Sequence, residues 1–199
     1  MMQEEKGFFM QPLTIDLPSW VQDRVDASRI YASDAEKMEL ALWLARENVL
    51  AETGGPFGSA IFDDTEGRLL GVGVNRVVPL NNATLHGEMV AIMMAQKALA
   101  SFTLHAAGRK RSLFTSCEPC AMCLGAILWS GVSRVVCAAG AKEARAIGFD
   151  EGPVFDASYA YLEKAGIEVV RNFCKEEGEN VLALYKQKGG TIYNGRDAQ

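Results

Sequence analysis

Apolar positions along this chain follow two periods, one helical and one of the strand type. Met38, Ala41, Leu42, Ala45 and Val49 recur at the spacing of one helix face. Just ahead of them, Ser33-Asp34-Ala35-Glu36 has the S-x-x-E form of a capping box, in which a hydroxyl and a carboxylate satisfy two orphan helix donors. Thr53-Gly54-Gly55-Pro56 stops that helix. Phe57 to Phe62 and Leu69 to Val74 predict two strands joined through Asp63 to Gly67. A polar loop, Asn75 to Thr84, leads to a predicted helix over roughly 86–100. Its stretch Met89 to Ala95 is apolar on nearly every side and belongs inside the protein. The remaining pattern predicts a strand at 112–115, a helix over 119–129 ended by Ser130-Gly131, and a buried strand at 132–138. It continues with helices near 141–147 and 157–165, a strand at 167–171 and a helix near 178–188. Strands alternating with helices predict an α/β fold of the three-layer α/β/α type. Residues 1–33 lack clean periodicity and read as an N-terminal extension, 34–188 as the domain, and 189–199 as a C-terminal tail beginning at Gly189-Gly190.

Composition narrows this picture. The 199 residues suit one domain with decorated ends, and 49% hydrophobic with 23% charged residues is the balance of a soluble globular protein. No apolar run approaches the roughly 18 residues needed to span a bilayer. Met1 to Met10 lacks the basic start and apolar run of a secretory signal, so a cytoplasmic location without membrane attachment is expected. A net charge of −5 argues against a phosphate-tracking surface, and hence against nucleic acid as a partner. The basic cluster Arg109-Lys110-Arg111 reads as a solvated loop. Five cysteines, an odd number, do not suggest a disulfide framework. Cys137 and Cys174 read as small buried apolar residues.

Cys117, Cys120 and Cys123 fall within seven residues, a density that packing alone seldom produces. Cys120 and Cys123 are three apart behind Pro119, so at a helix start their sulfurs share a face and can chelate one ion. Of the two histidines, His105 reads as a surface residue, whereas His86 opens a helix as His86-Gly87-Glu88. Residues two apart on a helix face different sides, so His86 and Glu88 can converge only at the helix end. One imidazole and two thiolates suit zinc and leave a fourth position for water, the mark of a catalytic site. Glu88 is then the proton carrier. A structural site closed by Cys117 is the alternative; Cys117 is expected to line the site without binding, because it precedes Pro119.

The H-x-E…P-C-x-x-C arrangement resembles the cytidine-deaminase-like zinc hydrolase superfamily. Gly54-Gly55-Pro56-Phe57, Asn75-Arg76-Val77, Thr115 to Cys120 and Ala146 to Pro153 are similar to the bacterial guanine deaminases, including those that accept ammeline. The resemblance covers about residues 35–195. It implies a five-stranded mixed sheet and hydrolysis of guanine to xanthine and ammonia, a step of purine metabolism on a small nucleobase substrate. The alternatives are deamination of ammeline, cytosine, a pterin or a guanosine-type nucleoside, or of tRNA adenosine. It implies a homodimer whose tail, here Thr191 to Asn194, covers the partner's site, with Tyr193 closing the pocket. Asn75 would bind the purine ring and Glu151 would assist proton transfer to the leaving amine. Phe57 stacks on the base or sits in the core, and Trp129 is apolar wall or pocket contact. The family usually has Ala where this chain has Gly87.

Overall fold

The computed structural model describes residues 12–195. Its centre is a mixed five-stranded sheet in the order β2-β1-β3-β4-β5. β1 (Gly58–Asp63) and β2 (Arg68–Val74) form a hairpin, and β3 (Arg111–Cys117) pairs antiparallel with β1. β4 (Arg134–Ala139) and β5 (Glu168–Val170) continue in parallel with β3. Because side chains alternate across a strand, each strand feeds two cores. Ala60, Phe62, Phe114 and Val136 pack with Met38, Ala41 and Leu44 of α2 (Asp34–Leu50). Their neighbours Ile61, Leu113 and Val135 pack with α3 (Gly87–Ala98) and α4 (Ala121–Ser130). α7 (Lys175–Gln187) joins α2 on the first face, and α6 (Asp156–Lys164) joins the second. Short α5 (Ala141–Ala146) follows β4. This is the expected three-layer α/β fold. Among the described residues no helix is long and apolar enough to cross a membrane.

The capping box forms at the start of α2: Glu36 N–H donates to Ser33 Oγ, and Glu36 Oε2 accepts from Ser33 N–H at 3.0 Å. The described part of the N-terminal extension is structured. α1 (Ser19–Arg24) lies against α2, with Trp20 edge-on to Trp43 at 5.6 Å and Arg24 paired to Glu47 at 2.6 Å. The basic cluster is not simply solvated. Arg109 pairs with Asp63 and Glu66, and Arg111 donates to the Leu104 carbonyl at 3.0 Å.

α3 reaches the site through an unusually close approach to β2. A Cβ on Gly73 would stand 2.2 Å from the Gly87 carbonyl oxygen, and one on Gly71 would stand 2.6 Å from Ala95 N. Glycine at these two inward positions lets the helix backbone rest directly on the strand.

Candidate active site

Two helix N-termini meet over the C-terminal end of β3. His86 is the N-cap of α3 and Cys120 the N-cap of α4; both backbones are extended, with ψ of 158° and 172°. The helix expected from Pro119 therefore begins at Ala121, and Pro119 lies outside it. Neither N-cap side chain caps its own helix. Instead His86 Nδ1 and Cys120 Sγ face each other at 3.4 Å. Cys123, one turn into α4 and fully buried, completes a group whose ligand atoms all lie within 4.8 Å of one another. One imidazole and two sulfurs at these separations fit a tetrahedral zinc with bonds of about 2.0–2.3 Å. The positive ends of both helix dipoles favour the thiolates there.

The three donors are not alike in charge. The Cys123 hydrogen bond, opposed by burial and aided by His86, lowers the Cys120 thiol to about 4. Cys123 goes the other way, raised by the same hydrogen bond and by burial. For His86, burial disfavours the imidazolium, but the Cys120 hydrogen bond and the charges of Cys120, Glu88 and Glu151 outweigh it and raise the pKa. Glu88, in the first turn of α3, is raised to about 7 by burial and then by the Cys120 charge. Glu151 is raised to about 8 by burial and by the charges of Cys120 and Glu88. Its own backbone explains its presence: the Glu151 carbonyl accepts the orphan N–H of Ala121 at 3.0 Å, locking the 148–152 loop onto α4.

These groups open on a cavity of about 780 Å³ lined by Phe57, Val77, Phe149, Glu151 and Tyr193 among others. Phe57 packs its ring edge-on against buried Phe149 at 5.0 Å and also lines the cavity. In the described chain the tail lies over its own cavity. Asn194 accepts from Asp150 N–H at 2.8 Å and donates to the Gly148 carbonyl at 3.0 Å, and Tyr193 packs on Phe149 at 4.9 Å. Asn75 is fully buried and stands behind Tyr193, outside the cavity lining. Its Oδ1 accepts from Val77 N–H at 3.2 Å, which orients the amide. Its Nδ2 and the adjacent Tyr193 hydroxyl are both buried without a well-formed partner.

Two expectations need correcting. Trp129 is neither wall nor pocket contact: it is 80% exposed at the far end of α4, because that helix presents its apolar residues on two faces and the sheet covers only one. Cys117 does not line the site; it is buried on β3, with its thiol against the Gly140 carbonyl at 3.6 Å. Sequence reasoning also missed Glu118, a buried carboxylate beside the site that accepts from Arg171 and from Ala141 N–H at 2.9 Å. Its place between Cys117 and Pro119 was the available signal.

Residues 32–139 match the cytidine and deoxycytidylate deaminase zinc-binding region. The chain is similar to the guanine deaminase of Bacillus subtilis (strain 168), 41% identical over 118 residues, which cover 59% of this chain and 72% of that one. A solved structure of guanine deaminase from Nitrosomonas europaea superposes with a TM-score of 0.84 at 38% identity, covering 88% of this chain and 97% of the other. The tRNA-specific adenosine deaminase of Haemophilus influenzae is 31% identical over 166 residues, 82% of this chain and 90% of that one. With its zinc ligands brought together between two helix starts and this match spanning over half its length, the chain belongs to the cytidine and deoxycytidylate deaminase family of zinc-binding enzymes.

Proposed function

We propose that this chain hydrolyses guanine to xanthine and ammonia, with His86, Cys120 and Cys123 holding zinc. The observation that carries the reading is the pairing of two buried carboxyls, Glu88 and Glu151, with that donor set at one cavity. Zinc, when bound, supplies a Lewis acid that makes water a nucleophile near neutral pH. Glu88 accepts a proton from the attacking water and returns it to the ring nitrogen beside the amino-bearing carbon. Glu151, held protonated near neutral pH, gives its proton to the amino group as the carbon–nitrogen bond breaks. Glu88 takes the proton of the added hydroxyl, whose oxygen becomes the product carbonyl, and passing that proton to Glu151 restores both carboxyls. One water is consumed and one ammonia leaves, so the protons balance.

Base recognition falls to Asn75, with Phe57 as the apolar face beneath the ring. With Oδ1 taken by Val77, the amide presents Nδ2, a donor suited to a carbonyl oxygen on the base. A ring carbonyl distinguishes guanine from adenine, whose corresponding group is an amine. Binding displaces the Tyr193 ring from Asn75 and lets it close over the base. The chain is further proposed to act as a homodimer; exposed Trp129, together with Phe102 at 90% exposure, gives it an apolar surface to cover.

Ammonia release from the zinc-loaded protein against guanine, ammeline, cytosine, a pterin, guanosine and adenine tests the assignment. Guanine should be turned over fastest, and preference for another base would reject the reading of Asn75. The tRNA reading is favoured by the Haemophilus relative. A net charge of −5 stands against it, and tRNA binding that weakens steeply with salt would revive it.

A further inference from the structure

Asn48 is a fully buried amide in the last turns of α2, a helix face otherwise made of Leu44, Ala45 and Val49. A polar group there is costly unless fully bonded. It is fully bonded, and its partners lie in one direction. Nδ2 donates to the Gly55 carbonyl at 2.8 Å and to the Asn75 carbonyl at 3.0 Å, bridging two segments that both approach the cavity. Oδ1 accepts from the Thr53 hydroxyl at 2.8 Å. That hydroxyl in turn accepts from Trp20 Nε1 at 3.1 Å, and the Thr53 carbonyl accepts from Arg76, the residue after Asn75.

The chain of bonds thus runs from α1 of the N-terminal extension to the backbone of the base-recognising residue. Gly54 shows how tightly the clamp is drawn: a Cβ there would stand 1.9 Å from the Asn75 carbonyl oxygen and 2.7 Å from Asn48 Nδ2. Any side chain at 54 would wedge the clamp open, which gives the Gly54-Gly55 pair a physical reason.

We propose that Asn48 is a positioning residue for base binding, and that Trp20 and Thr53 fix the orientation of its amide, so the N-terminal extension helps set the substrate pocket. This rests on the assignment of Asn75 to base recognition. The amide must present its NH₂ to both carbonyls at once, and an amide can rotate by 180° into the wrong orientation. The Thr53 hydroxyl, given its proton direction by Trp20, selects the correct one. Without it the Asn75 carbonyl loses its tie and the Nδ2 donor of Asn75 loses its aim.

The test uses zinc-loaded full-length protein and four variants: Asn48→Asp, Thr53→Val, Thr53→Ser and Trp20→Phe. Two readouts are taken, kcat and KM for guanine, and the NMR resonances of the Asn75 side-chain amide without any base. Asn48→Asp should raise KM about 10-fold or more, and Thr53→Val about 3- to 10-fold, the worth of one hydrogen bond. Zinc content should be unchanged and kcat within about threefold. Thr53→Ser, which keeps the hydroxyl, should restore both KM and the Asn75 resonances, and Trp20→Phe should shift them in the direction of Thr53→Val. Loss of activity that only tracks loss of folded protein, with KM and the resonances unmoved in Thr53→Val, overturns the proposal. If wild type does not turn over guanine yet the resonances move and Thr53→Ser restores them, the positioning stands and the guanine assignment falls.

Discussion

Replacing Gly73 by Ala would strike the site from behind. The new Cβ would lie 2.2 Å from the Gly87 carbonyl oxygen and 2.3 Å from Ala91 N, both more than 1 Å inside ordinary contact. Both neighbours are helix backbone, so no side chain can swing aside and the first two turns of α3 must lift from β2. Overpacking of this kind costs about 1–3 kcal/mol. Alanine in place of glycine returns about 0.5–1 kcal/mol by reducing the freedom of the unfolded chain. A net loss of about 1–2 kcal/mol is expected by thermal unfolding. The larger effect is geometric. His86 precedes that first turn, and a metal site tolerates displacements of only about 0.2 Å in its ligand distances. Zinc affinity should fall about 10- to 100-fold, the range seen when the support of a ligand is disturbed. Gly71→Ala is the control: its Cβ would press on Ala95 N at 2.6 Å, two turns beyond Gly87, and would touch the Ala91 carbonyl only at 3.0 Å. It should destabilise the fold while leaving zinc affinity within about threefold of wild type. Competition against a chromogenic chelator, run where all three proteins are folded, gives the affinities. Wild-type zinc binding by folded Gly73→Ala, or equal zinc loss in Gly71→Ala, would refute the idea that β2 sets the metal site through α3.

Other expectations follow from the same geometry. Zinc binding should be proton-coupled: Cys120 is lowered to about 4, but Cys123 is raised and the raised pKa of His86 favours its imidazolium, so both must give up a proton to bind. Affinity should therefore fall by about tenfold per pH unit for each proton displaced as pH is lowered, read by titration in buffers of different ionisation enthalpy. A pH-independent affinity between 6 and 8 would contradict that proton assignment. Glu151→Gln should keep its zinc and lose at least about 100-fold in turnover, measured as ammonia release beside metal content. Near-wild-type turnover would leave the leaving amine without its proposed acid. Trp129→Glu should lower the sedimentation coefficient to that of a monomer without unfolding the chain; an unchanged dimer would place the interface elsewhere.

What the sequence disclosed and what it hid divide along physical lines. α2 was legible because a capping box and a helical stripe are local patterns, satisfied within four and twelve residues. The metal donors were legible because chelation by Cys120 and Cys123 needs only short spacing, and because His86 and Glu88 could converge only at a helix end. Asn48 was not, since a lone Asn in a helix looks like any solvent-facing polar residue until Asn75, 27 positions away, is brought against it. Trp129 misled for a related reason: the α4 sequence is apolar nearly all round, so period alone could not say which face the sheet leaves bare. The strand order, with β3 beside both β1 and β4, is likewise a long-range property that spacing along the chain does not encode.

The most direct test of the account is Glu88→Gln, which keeps the shape and burial of the side chain and removes its proton transfer. Zinc content and guanine turnover are measured on the same samples. The account predicts a full complement of zinc with ammonia release reduced at least about 1000-fold. Turnover at the wild-type rate by the zinc-loaded variant would contradict it, because no proton carrier would then be missing.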